Sequence, residues 1–252
     1  QPMAGGIHSA DPYELSLRTT FPVFAEWEKQ HGSVIRGMWA MRKKRAGTEI
    51  RGPRYALFVS FKQGMKTLVD RLSEKITGKY TRVQKQVCSA SKNSSGGILV
   101  NTVDGSNMVA DALILAMPVY RTAQILAGLD KSISTDLGAI PYSCVITVNL
   151  VYPRGKIAHP LNGFGYVVPS AEGKVVSGCT FSSVKFEGRA PAGKTALRAF
   201  IGGKEARRIM NQDNRDILTT VKNELSAALG ISAEPDFTLL RRFPYSLPHY
   251  QV

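Results

Sequence analysis

Cysteine is scarce in this chain: Cys88, Cys144 and Cys179 are its only three in 252 residues, and no two stand close together. Such a set forms neither a metal-type spacing nor a disulfide framework, and leaves three reduced thiols in apolar, strand-like runs. Acidic residues are few, 19 against 33 lysines and arginines, for a formal net charge of +14. No apolar run reaches the roughly 18 to 20 residues that a bilayer-spanning helix needs, and no signal-peptide pattern opens the chain. The expected location is therefore the cytoplasm, free or peripheral to a membrane. Histidine is limited to His8, His31, His159 and His249. These are isolated from one another, with no HExxH pair and no G-x-S-x-G elbow, so neither a zinc-protease nor a serine-hydrolase reading has residues to rest on.

What is present is an ordinary globular composition, 43% hydrophobic and 21% charged, in the range of one large domain or two small ones. The excess of positive charge predicts an anionic partner. Much of it lies in Arg36, Arg42, Lys43, Lys44, Arg45, Arg51 and Arg54, which with Gly47, Gly52 and Pro53 read as a basic loop. No zinc finger, RRM signature or helix-turn-helix pattern accompanies it, so a nucleic-acid module is a weaker alternative.

Along the chain, apolar spacing predicts a helix over about 22–30, a strand over 55–60, and a helix after Gly64 with Met65, Leu68, Val69, Leu72 and Ile76 on one face. Strands over 80–90, 98–103 and 108–117 form a meander, the last apolar enough to be buried on both faces. Helices follow near 120–126 and 132–137. Further strand candidates run over 142–152 and 194–201, then a helix over 214–229 closed by Gly230, and a strand over 237–243. Successive antiparallel strands dominate over strict βαβ alternation, so the fold class is α+β: a mixed, largely antiparallel sheet with packed helices. Gly202-Gly203 sits between a strand and a helix but lacks the third glycine and the acidic residue of a dinucleotide fingerprint.

The most informative stretch is Leu161-Asn-Gly-Phe-Gly-Tyr-Val-Val-Pro169 with Gly178-Cys-Thr-Phe-Ser-Ser183. It reads as a hairpin. Glycines at 163, 165 and 178 mark where a ligand or another backbone comes close, and Phe164 and Phe181 supply flat apolar faces beside them. An ordinary core hairpin and the wall of a flat-ligand pocket both fit these residues.

A resemblance decides between functional classes. Gly6-Ile-His-Ser-Ala-Asp-Pro-Tyr-Glu-Leu-Ser-Leu-Arg18, Ser33-Val-Ile-Arg-Gly37, Phe61-Lys-Gln-Gly-Met-Lys-Thr-Leu68, Leu115-Ala-Met-Pro118, Ile140-Pro-Tyr-Ser143, the hairpin, and Arg242-Phe-Pro with Leu247-Pro-His-Tyr250 resemble the flavin-dependent porphyrinogen oxidases of haem and chlorophyll synthesis, within the FAD-linked amine-oxidase superfamily. The resemblance implies oxidation of protoporphyrinogen IX or coproporphyrinogen III to the porphyrin by FAD and O2. It also implies that this chain is an internal section, inactive alone, with most of the FAD site in segments beyond it. Residues 1–54 would end a helical, membrane-associated region, and 55–252 would be the substrate-binding domain, with an FAD-contacting part near 55–125. Carried over position by position, Tyr142, Leu161 and Phe181 fall where the tetrapyrrole is sandwiched, Gly5 and Gly6 where small residues border the pocket, and Val87 where the backbone meets the adenine end of FAD. Tyr142 departs from the leucine of plant-like members. Peripheral membrane contact and homo-oligomerisation are compatible with the resemblance. Another flavin amine oxidase or a carotenoid desaturase is the alternative within the superfamily.

Overall fold

A computed structural model describes residues 13–46, 59–76, 78, 80 and 83–249. These form two compact units, one made by Lys66–Tyr142 and the other by the described residues on either side of it. This division differs from the boundaries expected above. Residues 59–65 go with the larger unit, and the smaller one runs on to Tyr142.

The smaller unit holds a three-stranded antiparallel meander, β1 (Val87–Lys92), β2 (Ile98–Thr102) and β3 (Asn107–Ala110), in sequence order. The β2–β3 turn is locked by Asp104, whose carboxylate accepts from the hydroxyls of Thr102 and Ser106 and the backbone N–H of Ser106. Those donors, Thr102 first, hold the Asp104 carboxyl well below the usual carboxylate range. The third strand is shorter than predicted. It stops at Ala110, and Met108, Val109 and Ile114 are exposed, so the 108–117 run is not a strand buried on both faces. High apolarity there misled the reading because hydrophobic content carries no information about pairing. Helices Val119–Leu126 and Lys131–Gly138 follow, and Asp130 caps the second by accepting from the N–H of Ile133 at 3.0 Å. The predicted amphipathic helix forms over Lys66–Ile76, with Met65, Leu68, Val69, Leu72 and Ile76 all exposed.

In the larger unit the expected basic loop is in its first part a helix, Val34–Ala46, which follows helix Pro22–His31. Arginine, lysine, methionine and alanine are good helix formers, and the Ser33 hydroxyl accepts from the N–H of Ile35 at 3.2 Å to start the turn. The rest of that loop and most of the strand expected at 55–60 lie outside the described residues.

The centre of the larger unit is a five-stranded sheet in the order β5 (Gly165–Val167), β6 (Gly178–Phe181), β7 (Lys194–Gly202), β4 (Tyr142–Pro153) and β8 (Phe237–Pro248). Strict alternation makes its two faces different. On one face Ile146, Val148, Leu150 and Tyr152 of β4, Leu197, Ala199 and Ile201 of β7, and Cys179 and Phe181 of β6 are buried. They share one core with Ile217, Val221, Leu225 and Leu229, spaced by four along helix Asn214–Leu229, and with Ala206 and Ile209 of helix Gly203–Ile209. Asp213 caps the long helix at its start and Gly230, with φ 62°, closes it.

The predicted hairpin is β5–β6, paired Gly165 with Thr180 and Val167 with Gly178. Its glycines answer to backbone. A Cβ on Gly165 would stand 2.2 Å from the Cys179 carbonyl oxygen, at φ 145°, and one on Gly178 would stand 2.8 Å from the Tyr166 carbonyl. Of the two reasons offered for these glycines, the close approach of a neighbouring strand accounts for both. The connecting loop is held from a distance by Glu224, whose carboxylate accepts from the N–H groups of Val175 (3.0 Å) and Val176 (2.8 Å).

Gly165→Ala is expected to destabilise the protein by more than about 2 kcal/mol, combining backbone strain and overpacking. Gly163→Ala, with open space around it, should change stability by no more than about 0.5 kcal/mol. Denaturant melts of the two variants check this, and equal effects would remove the backbone explanation.

Candidate functional site

The face of the five-stranded sheet opposite the core is where the chain offers chemistry. Register places Gly165 beside Thr180, Thr180 beside Arg198, and Arg198 beside Asn149, one row across β5, β6, β7 and β4. The adjoining row runs Val167, Gly178, Phe200 and Thr147. Neither row contributes to the core, and Arg198 and Val167 are exposed while Phe200, Thr147 and Asn149 are half-buried. Arg198 Nε donates to Asn149 Oδ1 at 2.7 Å, and Asn149 Nδ2 donates to the Leu239 carbonyl at 3.4 Å, so the row is tied on to β8. The result is a surface of small, aromatic and hydroxyl side chains around one cation.

Leu161 and Phe181 lie behind this surface. Both are nearly inaccessible, at 4% and 2% exposure, and both belong to the main core. Phe181 meets the rings of His159 at 5.8 Å and Tyr166 at 6.3 Å. Leu161 has φ 55°, a left-handed backbone that is uncommon for leucine. Arg154 holds the turn before it, donating to the carbonyls of Ile157 (2.7 Å), His159 (3.1 Å) and Pro160 (3.2 Å), and the Leu161 N–H donates to His159 Nδ1 at 2.9 Å. Phe164, in contrast, exposes 47% of its surface next to the β5 edge. The structure thus brings Leu161 and Phe181 together in one core and leaves Phe164 as the accessible aromatic of the hairpin.

Tyr142 ends the smaller unit and is buried there. Its hydroxyl accepts from the N–H of Val119 at 2.8 Å and its ring stands edge-on to Tyr120 at 5.2 Å. It thereby satisfies one of the orphan donors at the start of helix Val119–Leu126. Val87 opens β1 opposite Thr102, at a register shift between Val87 and Ser89, and is half-buried. Gly5 and Gly6 lie outside the described residues.

A cleft of about 330 Å³ opens between Arg154, Ser183, Arg189, Gly193, Lys194 and Thr195. The stretch Gly188-Arg-Ala-Pro-Ala-Gly-Lys-Thr195 beside it spells the phosphate-loop pattern G-x-x-x-x-G-K-T. That motif works as a strand, a loop and then a helix whose N-terminus meets the phosphate. Here Lys194 and Thr195 begin strand β7 and Thr195 is buried, so the spelling has no phosphate loop behind it. Lys194 pairs with Asp236 at 3.1 Å, and Arg189 donates to Ser60 Oγ and the Phe61 carbonyl, both at 2.9 Å.

The flavin containing amine oxidoreductase family matches residues 1–252, the whole chain. This chain belongs to that family. Among curated relatives, a coproporphyrinogen III oxidase of Bacillus subtilis (strain 168) is 30% identical over 253 residues, covering 100% of this chain and 53% of the relative. A chloroplastic protoporphyrinogen oxidase of Nicotiana tabacum is 25% identical over 270 residues, covering 100% and 49%. Among solved structures, a protein of Exiguobacterium sp. 255-15 provisionally named a protoporphyrinogen oxidase superposes with a TM-score of 0.81 at 24% identity, over 100% of this chain and 52% of the other. Cyclohexylamine oxidase from Brevibacterium oxydans IH-35A shares the fold with a TM-score of 0.62 at 17% identity, over 96% and 49%. The chain spans about half the length of the curated relatives it matches. Among the described residues no helix is long and apolar enough to cross a membrane.

The family implies a flavin. Among the described residues, the one glycine pair between a strand and a helix, Gly202-Gly203, leads into a helix of only 7 residues, too little to set a pyrophosphate on a long helix N-terminus. The described residues do not by themselves fit a flavin.

Phe181→Ala is expected to cost about 3–5 kcal/mol in a denaturant melt, as removal of an enclosed core ring does; a loss below about 1 kcal/mol would show the ring to be dispensable to the core. Burial also pushes the Cys179 thiol and the Tyr152 hydroxyl up to about 12, from 9.0 and 10.0 in the unfolded chain. Between those values the unfolded state binds fewer protons than the folded one, so stability falls as pH rises from about 9 towards 12. Melts across that range check the decline, which Tyr152→Phe should make shallower.

Proposed function

We propose that this chain is the substrate-facing part of an FAD-dependent porphyrinogen oxidase, converting protoporphyrinogen IX or coproporphyrinogen III to the porphyrin with O2 as the final acceptor. The observation that carries this is the open sheet face, a surface with an aromatic ring and a fixed cation on a sheet whose three inner strands β6, β7 and β4 are covered by the core on the other side. A porphyrinogen is a large apolar macrocycle edged with carboxylates, and such a surface suits both features. The flavin, when bound, supplies the acceptor for hydride, and its contacts come mainly from the half of the relatives' length that this chain does not span. This chain's residues hold and orient the macrocycle. Orientation of reactants contributes on the order of 7–11 kcal/mol to catalysis in favourable cases.

In this reading Leu161, Phe164 and Phe181 form the hairpin at the edge of the macrocycle site, with Phe164 its exposed ring. Tyr142 helps to sandwich the substrate, Gly5 and Gly6 border it, and Val87 meets the adenine end of FAD, as the resemblance implies. The protein works in the cytoplasm or at a membrane surface. Similarity of this whole chain to enzymes named coproporphyrinogen III oxidase and protoporphyrinogen oxidase supports the reading.

Amine oxidation is the second reading, favoured by the fold shared with cyclohexylamine oxidase. The charge argues against it. An amine is a cation, and a chain with net charge +14 and an arginine in the middle of its open face repels cations and attracts carboxylates.

The whole protein to which this chain belongs should purify yellow with flavin and turn coproporphyrinogen III or protoporphyrinogen IX fluorescent while consuming O2. A flavoprotein that leaves both porphyrinogens unchanged and oxidises amines would overturn the porphyrinogen reading.

A further inference from the structure

Four arginines of the larger unit are spent on the chain itself. Arg154 is spent on three carbonyls, Arg189 on Ser60 and Phe61, Arg208 on Glu205, and Arg242 on the Met210 and Gln212 carbonyls and the Asn214 side chain. Each of these ties the chain to itself. Arg198 differs. Only its Nε is engaged, by Asn149, and among the described residues no carboxylate pairs with its guanidinium.

Its place is equally particular. Arg198 sits on β7, the middle strand of the five, on the face opposite the core. On the β6 side its neighbours in the row are Thr180 and then Gly165, and the next row has Gly178 beside Phe200. Small residues on that side leave low ground next to the cation. On the other side Asn149 uses both ends of its amide, accepting from Arg198 and donating to the Leu239 carbonyl. An amide anchored to β8 fixes the guanidinium of this exposed arginine by its Nε, and among the described residues no carboxylate takes its two terminal nitrogens. That is the arrangement of a fork held ready for a carboxylate, with part of the side-chain ordering cost met in the free protein.

The geometry points to Arg198 as the residue that takes a carboxylate of the substrate, with Asn149 as its positioning residue. The inference rests on the porphyrinogen reading and adds to it the group that binds a substrate carboxylate and selects acids over esters. The macrocycle lies over the low ground of Gly165, Thr180 and Gly178, beside Phe200, and one of its propionate side chains reaches the terminal nitrogens of Arg198. An arginine that is merely solvated would have no effect on substrate choice.

The test uses the full-length flavoprotein with coproporphyrinogen III and with the same macrocycle esterified on its carboxylates. Arg198→Met should raise KM for the acid roughly ten- to hundredfold, the range expected for losing hydrogen bonds to a charged group, with kcat little changed and the melting temperature unaffected. For the ester the wild type and Arg198→Met should have the same KM. Arg198→Lys should recover part of the acid affinity, and Asn149→Ala should give a smaller KM increase than Arg198→Met. Quenching of coproporphyrin III fluorescence on binding gives the same ranking without turnover. An unchanged KM for the acid in Arg198→Met, or an equal rise for acid and ester, overturns the inference while leaving porphyrinogen oxidation standing. A wild type that oxidises neither macrocycle overturns the functional reading, and the inference with it.

Discussion

The packing of helix Asn214–Leu229 and helix Gly203–Ile209 against one face of β4, β6 and β7 is the contact on which the rest of the larger unit depends. Each fully buried leucine or isoleucine in it is worth about 1.5–3 kcal/mol relative to exposure, and the period of two along a strand makes the burial directional. Because Leu197, Ala199 and Ile201 must face the helices, Arg198 and Phe200 must face away. A slip of one residue would exchange the faces, bury the arginine and expose the core. The open face is therefore not an independent construction. It is the remainder left by the core, and its chemistry is set by which residues occupy the positions the helices do not claim.

That dependence explains what was legible in the sequence. Alternation in 142–152 and 194–201, the four-residue spacing in 214–229 and Gly230 as its stop all mark elements that form where expected, because periodicity and capping are local properties. The β5–β6 hairpin was legible for the same reason. What the sequence obscured was pairing and depth. The apolar run at 108–117 forms strand only up to Ala110, and the run of cations after Ser33 begins as a helix because lysine and arginine carry good helix propensity as well as charge. Arg198 was missed because a single arginine in a strand has no motif; its significance comes from Asn149, 49 residues earlier in the chain.

Leu161 and Phe181 illustrate a second limit. Aromatic and branched residues beside glycines describe a pocket wall and a core hairpin equally well, and the sequence left both open. The structure encloses these two side chains and exposes Phe164. Matching such positions by resemblance brings a stretch of chain into view, while burial separates its enclosed side chains from its exposed one.

Glu224 ties the loop between β5 and β6 to a helix 48 residues further on. A hairpin looks like the most self-sufficient of motifs, since its strands are neighbours in sequence. Here its turn donates two of its hydrogen bonds to a carboxylate that is in place only once the long helix has docked. The segment that carries Phe164 is thus governed by contacts of long sequence separation, the kind that carry a loop-closure cost and form late when a chain folds.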